Sequence, residues 1–525
     1  MTVFANGVVV DGTGRAAFPG DVVVEGDTIA DVVERAGGDA SRAQYPGADV
    51  IDAAGCIVSP GFIDCHSHSD AYLVIEPDAP SKVSQGVTTE VNGQCGGSVA
   101  PRYGEARLSS DWASLLGDRL VWRSMAEYRA VLEAARPAIN TVQFVGHNTL
   151  RSSVVGYAGR TATPDELSRM VRLLEESLDE GGRGFSTGLI YQPGKYSTPQ
   201  EVETLAAAAA RKGAIYSTHM RSEGDRIIEA IDEVLDLVKA TGIRAEISHL
   251  KTSGRRNWNK IDQVLDKIQA AVDSSLLLGS DRYPFCAAGT DLDVVFPDWA
   301  GEGAAKAECE RLADPSVRRR IVEELDAQDR DWSQVMIGGV WHESNKGYCG
   351  RRIAEILASP GEESRTPGEF VCKVLERDRC RTGAFFFGMS EENLDRIYSR
   401  EWVLPGSDAS LRAPWGPLGA DHPHPRAYST MPEFYARVRR LGFTREAAVR
   451  RMTGAAAERF CLERRGVLRK GAFADIAVWR EDEFSGRATY TEPHKFAAGV
   501  KCTMVNGAIP YIDGVFTSRR AGRML

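Results

Sequence analysis

Gly61-Phe62-Ile63-Asp64-Cys65-His66-Ser67-His68 joins a short apolar run to two histidines separated by one residue. Alternate residues of an extended chain face the same side, so His66 and His68 can reach one point beyond the end of a strand. The same arrangement, an apolar run closed by polar residues and followed by a helical pattern, recurs along the middle of the chain. The further runs are Thr88–Asn92, Val142–Gly146, Gly184–Thr187, Ala214–Thr218, Ala245–Ser248, Leu276–Ser280 and Trp402–Gly406. With Gly61–Asp64 that makes eight, the number that closes a parallel barrel, and the fold expected is a (β/α)8 TIM-like barrel over residues 61–464.

The intervening helices are well signalled. Thr163-Pro164-Asp165-Glu166 supplies an N-cap, a proline at the first helical position and a glutamate three residues after the cap. Leu167, Met170, Val171, Leu174 and Leu178 then follow at helical spacing. Thr198-Pro199-Gln200-Glu201 repeats the start. Residues from about 290 to 395 are too many for one strand-to-helix connection, so an inserted subdomain is expected over the barrel mouth. Both ends read as short β-runs: Val8–Val10, Asp21–Val24 and Val50–Ile51 at the start, Phe473–Trp479 and Thr503–Gly507 at the finish, the last entering a turn at Asn506-Gly507. One small β-sandwich domain built from residues 1–60 and 465–525 is the economical reading.

Composition narrows the function classes. The chain has 525 residues, 43% hydrophobic and 26% charged, with a formal charge of −9, which is ordinary for a globular protein. Its basic residues are scattered, so a wide nucleic-acid footprint is not expected. No run approaches the roughly 18 apolar residues of a membrane helix, Met1–Asn6 has no export pattern, and a cytoplasmic location is expected. The ten cysteines fall at irregular spacings without a Cys-x-x-Cys, so any special cysteine is a ligand or nucleophile rather than half of a bridge.

The polar strand ends carry the chemistry: His66, His68, Cys95, His147, His219, His249 and Asp408 fall at or just beyond expected C-terminal ends, where barrel active sites are built. Imidazoles, a thiolate and a carboxylate converging there suit a zinc-type ion with one position left for water. Each histidine taken singly fits a hydrogen-bonded core residue better than a ligand; the set is what points to a metal. Cys95 sits in Asn92-Gly93-Gln94-Cys95-Gly96-Gly97, where glycines permit close backbone approach. A ligand role fits it better than a nucleophilic one, because a metal-bound thiolate is poorly free to attack.

Several motifs together resemble the D-aminoacylases, N-acyl-D-amino-acid deacylases within the amidohydrolase superfamily. They are His66-Ser67-His68-Ser69-Asp70, Gln85–Thr89 with Cys95-Gly96, Gly146–Arg151, Phe185–Tyr191, Ile247–Lys251, Gly406-Ser407-Asp408 and Pro423–Tyr428. The resemblance implies that Cys95, His219 and His249 hold a tight zinc and that His66, His68 and Asp408 flank a second, weaker position. It implies a small-molecule N-acyl amino acid as substrate, with Tyr191, Lys251, Tyr283 and Arg426 receiving its carboxylate. An arginine fork with single donors from lysine and tyrosine suits that group. Asp408 is then the general base and acid, with His66 or His68 helping to stabilise the oxyanion; an N-cap role is the plainer reading of Asp408. Asp291 and Asp293 favour a neutral or apolar substrate side chain over an acidic one, and Phe385-Phe386-Phe387 reads as core packing before acyl-pocket lining. The alternatives are an amidohydrolase of cyclic amides or other N-acyl or N-carbamoyl compounds, or a deaminase, against which the cysteine argues, and a non-catalytic scaffold barrel, which would have lost ligands.

Overall fold

The computed structural model describes residues 1–35, 45–108 and 110–525. Its centre is an eight-stranded parallel sheet: β1 (Phe62–Asp64), β2 (Val87–Asn92), β3 (Asn140–Gly146), β4 (Gly184–Gly188), β5 (Ile215–His219), β6 (Arg244–Ile247), β7 (Leu278–Arg282) and β8 (Val403–Pro405), hydrogen-bonded in that order. Every residue of β2, β3, β4, β5 and β7 is buried, as strands covered by helices outside and packed side chains inside require. The sheet curls until its edges meet. Cys65 N donates to Pro405 O at 3.1 Å and Asp408 N to His66 O at 2.8 Å, so the extensions of β1 and β8 close the barrel on the rim that carries the histidines.

The helices begin where their caps predict. Thr163 and Glu166 form a reciprocal capping box on the helix Pro164–Asp179, and Thr198 accepts from Glu201 N to start Pro199–Arg211. Strand β7 lies two residues beyond the expected run: Leu277 is exposed, and the ladder instead takes in Asp281 and Arg282. That register decides which side chain of β7 reaches the site.

The two chain ends build one nine-stranded sheet, joined where Ile57–Pro60 runs antiparallel to Ile476–Trp479. Its N-terminal half (Val22, Val24, Ile29) and C-terminal half (Ile476, Val478, Met504) meet in a single apolar core. Asn506 and Gly507 both have positive φ, as the two central residues of a type I′ hairpin turn must. Between β7 and β8 lies a three-stranded antiparallel sheet (Ala288–Asp291, Val335–Ile337, Gly383–Phe386) with the helices Ala304–Ala313, Pro315–Asp326 and Pro367–Arg377. These elements have their own core around Leu292, Ile321, Leu325, Phe370 and Val371. Among the described residues no helix is long and apolar enough to cross a membrane.

Candidate metal centre

Six of the side chains picked out by the sequence converge above the barrel. His66 and His68 follow β1, Cys95 follows β2, His219 ends β5, His249 follows β6 and Asp408 follows β8. They form two donor groups: in each of the sets His66, His68, Cys95, Asp408 and Cys95, His219, His249, one donor atom per residue lies within 4.8 Å of all the others. Cys95 belongs to both. Its Sγ is 3.4 Å from His66 Nε2 and 3.4 Å from His249 Nε2, while Asp408 Oδ1 is 3.1 Å from His68 Nε2 and 3.4 Å from His66 Nε2.

The donor set fits a metal ion on two further observations. His219 is buried and neither ring nitrogen makes a hydrogen bond, the Glu223 carboxylate standing off at 3.6 Å from Nε2, an arrangement that costs free energy unless a ligand meets one of them. Burial pushes the Cys95 thiol up, but the imidazoles of His66 and His249 outweigh it and hold the group well below the ordinary thiol range, which favours the thiolate that coordinates metal.

Backbone strain marks the same residues. Cys95 and His249 have φ of 51° and 37°, the left-handed region that residues other than glycine, asparagine and aspartate enter reluctantly, and Asp408, which tolerates it better, has φ of 50°. Such strain persists where surrounding structure over-determines it and clusters at functional sites. Around Cys95 the glycines are sterically required: a Cβ on Gly188 would stand 2.0 Å from Cys95 O, and one on Gly96 would stand 2.4 Å from Asn148 Oδ1.

A second ring of polar groups orients the imidazoles, and the sequence reading missed it. Asp281 Oδ2 is 3.1 Å from His66 Nδ1, and Asp281 Oδ1 accepts from His249 N at 2.8 Å. Glu223, in the loop after β5, lies 2.9 Å from His249 Nδ1 and pairs with Lys251. Fixing Nδ1 in this way turns Nε2 of both rings toward Cys95. The only sequence signal for Asp281 was its place one residue past the expected end of β7; Glu223 stands in no motif.

The expected substrate-binding residues line the same cavity as Cys95, His219, His249 and Asp408. The Tyr191 ring packs edge-on to His219 with centroids 5.0 Å apart. The Tyr283 hydroxyl is buried without a hydrogen-bond partner, its ring flanked by the guanidiniums of Arg282 at 3.9 Å and Arg426 at 4.7 Å. Lys251 is already engaged, by Glu223 and by His249 Nδ1 at 2.7 Å, and Arg426 donates to Asp408 Oδ2 at 2.6 Å. Phe385 is buried in a small cluster with Ala287 and Met336, so packing describes it, although it also lines the cavity.

His147 does not join the centre. Gly146 ends β3 and His147 opens the helix His147–Val154, which turns the ring to Glu201 Oε1 at 2.9 Å beside Arg151. Its position at a strand end reflects a buried ion-pair network behind the barrel wall.

Comparison with known proteins agrees with this geometry. Residues 49–365 and 381–511 match the amidohydrolase family. The N-acyl-D-glutamate deacylase of Alcaligenes xylosoxydans xylosoxydans is 33% identical over 527 residues, covering 100% of this chain and 96% of that protein. The chain belongs to the amidohydrolase family, on its D-aminoacylase branch. A D-aminoacylase structure concerned with a binuclear metal centre superposes on this amidohydrolase with a TM-score of 0.82 at 32% identity, covering 100% of this chain and 99% of that one. An N-acyl-D-glutamate deacylase from Bordetella bronchiseptica, complexed with zinc and a phosphonate mimic of the tetrahedral intermediate, does so with a TM-score of 0.82 at 30% identity and the same coverage. This amidohydrolase is therefore a metal-dependent hydrolase.

Proposed function

We propose that this amidohydrolase hydrolyses the amide bond of N-acyl-D-amino acids, releasing a carboxylic acid and a free D-amino acid, and that its metal is zinc. The observation that carries the reading is the place of Cys95, a thiolate common to two donor groups, in a chain similar over its whole length to N-acyl-D-amino-acid deacylases. Cys95, His219 and His249 would hold the tight ion; His66, His68 and Asp408, with Cys95, flank the second position. When bound, zinc supplies Lewis-acid chemistry, bringing the pKa of a water toward about 7 and polarising a carbonyl.

The chain's own groups do the rest. Asp408 Oδ2 is held by Arg426, which leaves Oδ1 facing the imidazoles. Burial pushes this carboxyl up, but Arg426, His249 and His68 outweigh it and hold it well below the usual carboxylate range. It is therefore ionised at neutral pH, ready to take a proton from water and to return it to the leaving amine. His66 and His68 lie beside it, placed to stabilise negative charge developing on the carbonyl oxygen. The unpartnered Tyr283 hydroxyl, the Tyr191 hydroxyl and the Arg426 and Lys251 cations supply the donors for an α-carboxylate.

The test is hydrolysis of a panel of N-acetyl-D-amino acids, their L enantiomers and a hydantoin, with zinc measured on the same preparation. Turnover confined to D-configured linear amides by zinc-loaded protein is expected. Hydantoin opening, or equal turnover of the L series, would sink the reading.

A further inference from the structure

The buried Glu308 and the half-buried Asp293 form a carboxyl pair that the chemistry above does not use. Asp293 lies in the short turn Leu292–Val295 and Glu308 on the helix Ala304–Ala313. Both line the cavity that holds the metal donors. Glu308 is 4% exposed, and its Oε2 receives no hydrogen bond from any protein donor. Burial pushes Glu308 up to about 7, and burial together with the charge of Glu308 raises Asp293 well above the carboxylate range. Two carboxyls so placed share a proton for want of a cation. Among the described residues no lysine or arginine forms an ion pair with either. Arg311, whose charge reaches Glu308, makes no ion pair with it and donates through Nη1 to Ala300 O at 2.9 Å, and Lys195 of the same cavity pairs with Asp298 at 3.3 Å.

Two short paths join the pair to the reaction centre. Arg426, which holds Asp408, also donates to Gly289 O at 3.2 Å, and the strand Ala288–Asp291 runs from there directly into the Asp293 turn. On the other side Tyr191, packed on His219, is followed by Gln192, whose Nε2 donates to Gly301 O at 2.7 Å. Glu308 Oε1 lies 3.8 Å from where a Cβ of that glycine would stand. The first path starts at the arginine expected to meet the α-carboxylate, which argues for the amino-acid side of the scissile amide over the acyl side.

We propose that Asp293 and Glu308 form a subsite for a cationic substrate side chain, so that the favoured substrates are N-acyl-D-amino acids bearing an ammonium or guanidinium. The inference rests on the deacylase reading and adds its substrate class. A bound cation displaces the shared proton to solvent and pairs with the carboxylates that no protein cation answers; an acidic side chain is repelled.

The experiment compares kcat/KM for N-acetyl-D-lysine, N-acetyl-D-arginine, N-acetyl-D-norleucine and N-acetyl-D-methionine in the zinc-loaded wild type, Glu308→Gln and Asp293→Asn, each checked for folding by circular dichroism. The wild type should prefer at least one basic substrate over norleucine by about tenfold or more, and the folded variants should lose that preference. Two variants on different elements guard against one that fails to fold. Norleucine turned over as well as both basic substrates by the wild type, or a preference unmoved in the variants, overturns the subsite alone. Failure to hydrolyse all four substrates overturns the deacylase reading and the subsite with it.

Discussion

Arg426 donates to Asp408 Oδ2 at 2.6 Å, so the guanidinium expected to meet the substrate also grips the carboxylate expected to move the proton. Its second nitrogen holds Gly289 O, and only Nε lacks a partner. Arg426→Ala therefore reaches beyond substrate affinity. It should lower kcat as well as raise KM for N-acyl amino acids, by about a hundredfold in kcat/KM. The sign of the pH effect follows from the ion pair. Arg426 depresses the Asp408 pKa, so its removal raises that pKa, less carboxylate is ionised at a given acidic pH, and the acid limb of the kcat/KM profile moves upward. A pure rise in KM with an unmoved profile would show that the ion pair does not tune Asp408.

His147 offers a contrast with His219, since both stand at strand ends and only one belongs to the donor groups. His147→Ala leaves the buried Glu201 carboxylate with one partner fewer, Arg151 alone remaining on it. It should destabilise the fold by about 1–3 kcal/mol while zinc per chain stays at the wild-type level. His219→Ala should do the reverse, with bound zinc lost and stability of the stripped protein little changed. Chemical denaturation and metal analysis on the same samples separate the two.

Lys82 sits beneath the centre with 1% exposure. Its Nζ is 2.7 Å from Asp64 Oδ2, 3.1 Å from Ser407 Oγ and 3.3 Å from Glu90 Oε2, and Asp64 Oδ1 accepts from Ser407 N at 2.7 Å. This ammonium ties the end of β1, which carries His66 and His68, to the end of β8, which carries Asp408. Lys82→Met leaves two buried carboxylates without their cation, a loss of about 3–5 kcal/mol. A denaturant midpoint unchanged from wild type would show that the cluster contributes nothing to closing the barrel.

The barrel was legible because its strands advertise themselves as short runs closed by polar termini, with helix caps at Thr163 and Thr198 marking two of the helices between them. That order pointed to His66, His68, Cys95, His219, His249 and Asp408, but to His147 as well, which the structure turns away to Glu201. Orientation did not follow from that order. In a strand buried on both faces, such as β7, hydrophobicity has no period of two to set the register, so Asp281 fell outside the expected run although it orients His66 and His249. Glu223 and Lys82 were invisible for a related reason: a lone charged residue reads as surface until its partners are placed around it. The left-handed backbone at Cys95, His249 and Asp408 is likewise a property of closure, which no local propensity records.

Cys95 belongs to both donor groups, whereas His219 and His249 belong to one and His68 and Asp408 to the other. Substitutions should therefore sort the two positions. Cys95→Ala removes the shared thiolate and should bring bound zinc close to zero after dialysis. His68→Ala leaves the Cys95, His219 and His249 group whole, so the tight ion should stay and only the more weakly held one be lost. The same hierarchy should appear in stability, since an ion that binds only the folded state stabilises it by mass action. Restoring zinc to stripped wild type at about a thousandfold over Kd is worth roughly 4 kcal/mol, read as an upward shift of the thermal midpoint. That shift should persist in His68→Ala and vanish in Cys95→Ala. An undiminished shift in Cys95→Ala would mean that the histidines hold the metal without the thiolate, and Cys95 would then be a packing residue.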